Sequence, residues 1–181
     1  MARGGARRLT WAIVGALLVL PFVLAACRGS ASTASPVAAQ IGQRTKTSGC
    51  EVNGKLADSA CTPGAIIATA TKAQICQPGY AKNVRDVPTS EKDQVYAEYS
   101  IKSHKAGQYE VDHLISLELG GSNDIANLWP EAADPKPGFH EKDKVENYLH
   151  DQVCSGAVSL SQVQVEIATN WFDVYQKANL K

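Results

Sequence analysis

Four side chains in the middle of the chain have the types and the order needed to break a bond with water. Asp112 and His113 are adjacent, Asn127 follows after a Gly-Gly turn, and His140 follows after a loop that contains prolines. A neutral imidazole is the side chain best suited to accept a proton from water near pH 7. A divalent cation held by a carboxylate can stabilise charge on a phosphate and on a departing oxygen. These residues therefore indicate a hydrolytic site and not an ordinary core.

Short extended segments are predicted to bring these side chains together. Residues 109–113 alternate in the manner of a half-buried strand, and Leu114–Leu119 continues the alternation. Residues 120–124, Gly-Gly-Ser-Asn-Asp, form a strong turn signal. Ile125–Trp129 predicts a second strand, which we expect to end at Pro130 because proline cannot continue a hydrogen-bonded ladder. Two strands joined by this turn would place the carboxylate, the imidazole and the carboxamide side by side.

Helices are predicted on both sides of this centre. Apolar residues at helical spacing indicate three of them, at about Glu91–Ser100, at His140–Gln152 and from Leu160 to near the C-terminus. Capping boxes are predicted before the first and the last, at Ser90 with Asp93 and at Ser159 with Gln162. The helix of residues 140–152 should have a core face that includes Val145, Tyr148, Leu149 and Gln152. Its opposite, polar face should include His140, Asp143, Lys144 and Asn147.

The N-terminus has the features of a bacterial export signal. Three arginines within the first eight residues precede an uncharged apolar run, Leu9–Ala26. Small residues lead into Cys27, and this sequence resembles the lipobox at which a lipoprotein signal is cut and the cysteine is lipidated. A permanent membrane anchor and plain secretion are the alternatives, because eighteen apolar residues can just span a bilayer. Each of these interpretations places the rest of the chain outside the cytoplasmic membrane.

Composition divides the remainder into a tether and one domain. Residues 27–49 are rich in small and polar side chains, and a flexible coil of this length would hold a domain about 25 Å from the membrane. Residues 50–181 suffice for one domain with a modest core. Removal of residues 1–26 takes away three of eighteen basic residues and no acidic ones, which leaves a net charge of −3. That charge argues against a broad electropositive surface that grips nucleic acid, but it leaves room for a small catalytic cleft.

Four cysteines in the domain predict disulfides. An even number of cysteines in an exported chain favours disulfides over zinc, and three pairings are open. We expect Cys154 to be joined to the loop-rich segment of residues 50–87, because closing the longest loop restrains the unfolded chain most. The four residues are Cys50, Cys61, Cys76 and Cys154.

The order of strand, Asp-His, turn, Asn and helix resembles the HNH nuclease family and its ββα-metal fold. Residues 111–129, VDHLISLELGGSNDIANLW, follow the family pattern DH-x-x-x-L-x-x-GG-S-N-x-x-x-N-L closely. The interval from Asn127 to His140 is longer than in the compact family pattern. The resemblance implies an α+β fold with a small ββα-metal core in residues 109–152, flanking helices and a disulfide-stapled N-terminal segment. It also implies His113 as general base, Asp112 and His140 as metal ligands, and Asn127 as the residue that holds the loop and orients His113.

Neighbouring residues on the helix leave the ligand set open. Asp143, Glu146 and Asn147 lie within two turns of His140 and could replace or join it. Lys142 and Lys144 are candidates for contact with substrate phosphate. Two protein ligands leave positions open for water and phosphate oxygens, which suits Mg²⁺, with Mn²⁺ and Zn²⁺ as alternatives.

These patterns lead to two expectations from different classes of protein. The first is an exported, monomeric, metal-dependent endonuclease, anchored through a lipid on Cys27 and acting on nucleic acid, with DNA expected before RNA. The second is a non-catalytic envelope lipoprotein that uses the same fold as a binding module. A structural metal site ranks last, because the cysteines lie outside the central motif and exported thiols tend to oxidise.

Overall fold

The structure of the chain is a computed structural model that describes Met1 and residues 41–181. The predicted leader, the lipidation site at Cys27 and most of the predicted tether lie outside the described residues. The chain divides into two units, residues 1–33 and 34–181, and the features below belong to the second unit.

Residues 41–181 contain α-helices and a two-stranded antiparallel sheet. The elements are α1 (Lys72–Ile75), α2 (Tyr80–Val84), α3 (Thr89–Glu98), β1 (Tyr109–His113), β2 (Leu128–Ala132), α4 (Phe139–Ser155) and α5 (Leu160–Lys177). The predicted α+β class is confirmed. Along the chain, β1, β2 and α4 follow one another, with two 3₁₀ turns between the strands.

Pro130 lies inside β2, so the prediction that the strand ends there is wrong. It pairs with Val111 of β1. The amide of Leu114 donates to the carbonyl of Asn127 at 2.8 Å, and hydrogen-bonded pairs alternate with non-bonded pairs along an antiparallel ladder. Pro130 is three residues beyond Asn127 and therefore occupies a non-bonded position. Its missing N–H removes no bond from the ladder at that position.

Two segments predicted as extended are partly 3₁₀ turns, Leu117–Leu119 and Ile125–Asn127. The apolar residues Leu117 and Leu119 are both buried, as the alternation required, but a 3₁₀ turn buries them as well as a strand does. Gly121 makes this compact path possible. A Cβ atom added there would lie 1.8 Å from the carbonyl oxygen of Ile115, so no other residue fits without movement of the backbone.

The two predicted helix caps have different outcomes. Helix α3 begins at Thr89 after Pro88, which makes no side-chain cap bond, so the predicted capping box at Ser90 is wrong. Pro88 is the residue before the first helical turn, and its extended backbone and fixed φ suit that position without a side-chain cap. The capping box of α5 is confirmed, because the Ser159 hydroxyl accepts from the Gln162 amide and the Gln162 side chain accepts from the Ser159 amide, both at 3.3 Å.

Helices α4 and α5 pack on each other and form the main core. The buried side chains at this contact include Val145, Leu149 and Val153 of α4 and Val163, Ile167 and Trp171 of α5. The predicted core face of α4 is confirmed at Val145 and Leu149, whereas Tyr148 remains 37% exposed. The predicted polar face is exposed at His140, Asp143, Lys144 and Asn147.

Two disulfides join Cys50 to Cys61 and Cys76 to Cys154. The second bond connects the loop-rich segment to the end of α4 across 78 residues, which confirms the expectation for Cys154. Such bonds persist in oxidising compartments, so they indicate a non-reducing, extracellular-like environment.

In the part of the chain that the structure describes, no helix combines the length and the apolar character needed to cross a membrane.

The described end of the predicted tether lies against the domain. Nε of Arg44 donates to the carbonyl of Cys61 at 2.7 Å, and its guanidinium pairs with the buried carboxylate of Glu98. Contacts with the domain therefore begin before Cys50.

Candidate active site

His113, the last residue of β1, is held in one tautomer. Its Nε2 atom lies 3.1 Å from Oδ1 of Asn123, and Nδ2 of Asn123 donates to the carbonyl of Val84 at 2.7 Å. Because that carbonyl can only accept, the Asn123 amide must present its oxygen to the imidazole. His113 therefore carries its proton on Nε2 and keeps a lone pair on Nδ1.

The Nδ1 atom of His113 is buried, and it has no hydrogen-bond partner among residues 41–181. Burial lowers the pKa of His113 to about 4, so the ring is neutral at pH 7. Buried polar atoms normally have a partner, and a donor such as water is expected at this lone pair. The predicted general base is thus present in the protonation state that the role requires.

Asn127 is fully buried in the 3₁₀ turn before β2, and its side chain makes four hydrogen bonds. Oδ1 accepts from the amide of Ile115 at 2.9 Å and from that of Ala65 at 3.3 Å. Nδ2 donates to the carbonyls of Ile115 at 2.9 Å and Ser122 at 2.8 Å. This geometry is that of a residue that holds the loop between the strands. Among the described residues, the imidazole of His113 is hydrogen-bonded to Asn123 and not to Asn127.

Lys142 reaches from α4 to the end of β1 and is only 1% exposed. Its Nζ atom donates to Oδ2 of Asp112 at 2.6 Å, to the carbonyl of His113 at 2.8 Å and to Oε1 of Glu146. All three ammonium protons are therefore used inside the protein. This placement does not fit the predicted phosphate contact at Lys142. Lys144, the other predicted contact, is exposed.

Three carboxyl groups surround the Lys142 ammonium. Although burial opposes ionisation, the charge of Lys142 holds the pKa of Asp112 below its ordinary value. Burial raises the pKa of Glu146 to about 7 and that of Glu131 well above its ordinary value. Glu131 is 2% exposed, and no donor bonds its oxygens in the described part of the chain. It lies within hydrogen-bond reach of Asp112, and the two carboxyl groups can bond only if one of them carries a proton. At neutral pH Asp112 is therefore charged, whereas burial favours the uncharged form of Glu131.

The first turns of α4 present the accessible ligand candidates. The side chains of His140 and Asp143 are 64% and 62% exposed, and Nδ1 of His140 lies 4.0 Å from Oδ2 of Asp143. Partial burial is the main cause that raises the pKa of Asp143, and the negative charge of Asp112 is the second cause. The two carboxylates therefore repel each other.

The remaining candidates on α4 are engaged elsewhere. Glu146 is paired with Lys142, and Nδ2 of Asn147 donates to the carbonyl of Asp143 at 2.7 Å. A charged Asp112 beside the accessible Asp143 supplies the oxygen donors that Mg²⁺ and Mn²⁺ prefer. By donor type these residues suit a divalent cation, although in residues 41–181 no group of three ligand atoms close enough to share one includes Asp112, His140 or Asp143.

Within residues 41–181, the groups of three ligand atoms that do lie close enough to share a metal ion are two that each contain a pair of cysteines. They are Cys76 with His150 and Cys154, and Cys50 with Asp58 and Cys61. In each group both cysteines are joined in a disulfide, whereas a metal requires the thiolate. Neither group offers a sulfur ligand while its disulfide is intact.

Sequence reasoning missed two residues of this site. Asn123 lies in the Gly-Gly-Ser-Asn-Asp run, which by itself predicts only a turn, although its place in the family pattern is a signal for a site residue. Glu131 follows Pro130, and a strand that ends at Pro130 gives no reason to expect a buried Glu131.

Comparisons of the chain with protein-family models, with curated proteins and with solved structures found no match.

Proposed function

We propose that the chain is a metal-dependent endonuclease of the HNH type that hydrolyses phosphodiester bonds of nucleic acid, with DNA as the first substrate to test. The observation that supports this most is the neutral His113 imidazole, fixed in one tautomer and adjacent to the charged Asp112. A general base needs both properties. The order β1, β2, α4 is also the order of elements in a ββα-metal core.

In this proposal each residue has a separate task. Nδ1 of His113 accepts the proton of the attacking water, while the Nε2–H bond to Asn123 holds the ring in place. Asp112 and Asp143 hold the divalent cation, with His140 as the adjacent further ligand. Mg²⁺ is expected first, with Mn²⁺ or Zn²⁺ as alternatives. The ion supplies Lewis-acid stabilisation of the phosphate and of the departing oxygen.

Lys142 has a positioning role. By donating to both Asp112 and the His113 carbonyl, it keeps the carboxylate ionised and fixes the end of β1 against α4. Substrate cannot reach this ammonium directly, because its protons already have acceptors.

The proposal includes the location of the protein. The leader exports the chain, Cys27 carries the lipid, and the domain acts as a monomer outside the cytoplasmic membrane. The two disulfides support a non-reducing location.

Nicking of supercoiled plasmid by the purified chain tests this function. We expect cleavage with Mg²⁺, Mn²⁺ or Zn²⁺, loss of cleavage in EDTA, and loss in His113→Ala. The exposed His104 provides the matched control, since His104→Ala should cleave at the wild-type rate. Equal cleavage by wild type and His113→Ala, both resistant to EDTA, would show that the catalytic proposal is wrong.

One observation favours the rival function, a non-catalytic binding module of the cell envelope. The Asp112 carboxylate is already paired with Lys142, which weakens the need for a metal ion at that residue. Stoichiometric binding of a divalent cation, without turnover of DNA or RNA under any metal, would support the binding module.

A further inference from the structure

A groove of about 380 Å³ lies on the surface between α3 and β1. Its walls include Arg85 from the segment after α2, Lys92 and Tyr96 from α3, and Glu110 from β1. Glu110 precedes Asp112 by two residues, so both lie on the same face of the strand. The groove is lined by the residues just before Asp112 on β1 and, through Phe139, by the residue just before His140 on α4.

The two cations of this groove are available to an outside anion. Arg85 and Lys92 are exposed, and neither forms an ion pair with any carboxylate in residues 41–181. Lys142 differs from them, because its charge is already taken by Asp112 and Glu146.

Arg85 is also connected to the proposed base through one side chain. Asn123 donates to the carbonyl of Val84, the residue before Arg85, and accepts from Nε2 of His113. Asn123 therefore joins the backbone just before Arg85 to the imidazole of the proposed base.

We propose that this groove is the track for the phosphodiester backbone of the substrate, with Arg85 and Lys92 each contacting one phosphate. The inference depends on the proposed function, because it assigns the path of that substrate. A guanidinium binds phosphate oxygens in a two-pronged geometry, and an ammonium binds them as a point charge. Each phosphate contact releases counterions, so log K should change with log salt by a slope of about −0.9 per contact on duplex and about −0.7 on a single strand.

Salt-dependent binding tests the groove separately from catalysis. The full chain carrying His113→Gln is titrated against a short fluorescein-labelled DNA oligonucleotide, single-stranded or duplex, over a series of NaCl concentrations. Fluorescence anisotropy gives K at each concentration. Arg85→Ala and Lys92→Ala should each weaken binding and each reduce the slope by about 0.7 on the single strand or about 0.9 on the duplex.

Lys82→Ala is the matched control, because Lys82 is an exposed lysine of α2 that does not line the groove. It removes the same charge and should leave the slope unchanged. A change confined to one probe supports the groove and identifies the strand type that it takes.

If Arg85→Ala and Lys92→Ala behave like Lys82→Ala, the groove is not the track, while plasmid nicking by the wild type would leave the proposed function standing. If the wild type neither nicks plasmid nor binds either probe, the groove and the proposed function are both wrong.

Discussion

Replacement of Lys142 by methionine should destabilise the domain far more than the same change at Lys144, two residues further along α4. Methionine retains most of the apolar stem but removes the ammonium that bonds Asp112, Glu146 and the His113 carbonyl. Because the site is buried, water cannot take over these bonds. The Asp112 carboxylate would then be left without its cation.

The expected loss is large because it is an uncompensated buried charge. Removal of one partner from a buried ion pair typically costs about 3–5 kcal/mol of the free energy of unfolding. An exposed substitution away from such contacts usually changes it by less than about 0.5 kcal/mol, which is the expectation for Lys144→Met. The two variants have the same change of charge and the same new side chain, so their difference isolates the buried ammonium.

Urea unfolding with the disulfides intact measures this difference, with fluorescence of the buried Trp171 and Trp129 as the signal. For a slope near 2 kcal/mol per molar urea, the midpoint of Lys142→Met should fall by roughly 2 M. The deficit should also depend on pH. The pKa of Asp112 is lowered in the fold, so its contribution is present above the unfolded value of 3.8 and is lost as pH falls below it.

Equal midpoints for Lys142→Met and Lys144→Met at pH 7 would refute this reasoning. They would mean that the ammonium is not buried against Asp112 in solution, and the positioning role assigned to Lys142 would fail with it.

Three further predictions concern the loop, the base and the disulfides. Asn127→Asp removes both N–H donors to the carbonyls of Ile115 and Ser122. Thermal unfolding should show a loss of roughly 2–4 kcal/mol in the free energy of unfolding. The same change at the exposed Asn147 is the control and should have little effect. In the metal-free protein the NMR resonances of His113 should stay constant from neutral pH to about pH 5 and move only near pH 4, because burial depresses its pKa. The neutral buried ring leaves the fold at full stability above the unfolded pKa of 6.5, and stability is lost as pH falls from there toward about 4. An NMR midpoint near 6.5 would contradict the burial of the ring. Replacement of Cys76 and Cys154 by serine should lower the free energy of unfolding by about 4.5 kcal/mol, and replacement of Cys50 and Cys61 by about 3 kcal/mol. The difference is expected because the longer loop restrains the unfolded chain more. Equal losses in urea unfolding would argue against this entropic origin.

Local features of the site could be predicted from the sequence because their causes are local. Strand β1 follows from alternation over five residues, and the cap of α5 follows from Ser159 and Gln162 three residues apart. The exposed face of α4 follows from helical geometry. These features placed Asp112 and His113 at the end of a strand and His140 on an exposed helix face.

Contacts between distant segments could not be predicted in the same way. Lys142 lies between polar neighbours on α4, and only its partner on β1, 30 residues earlier, gives it a reason to be buried. The orientation of the Asn123 side chain likewise depends on its hydrogen bond to the carbonyl of Val84, 39 residues earlier. The 3₁₀ turns were missed because a period of two over a few residues does not distinguish a strand from a tight turn with buried leucines.

The disulfide between Cys76 and Cys154 also sets the covalent topology of the protein. Every residue of the proposed site, from Asn123 and His113 to Glu146, lies within the ring that this bond closes. A protease that cuts once in the exposed loop at residues 134–136 would therefore produce two peptides that remain linked. In a non-reducing environment the domain can in this way be nicked at this exposed loop without the separation of β2 from α4 into different molecules.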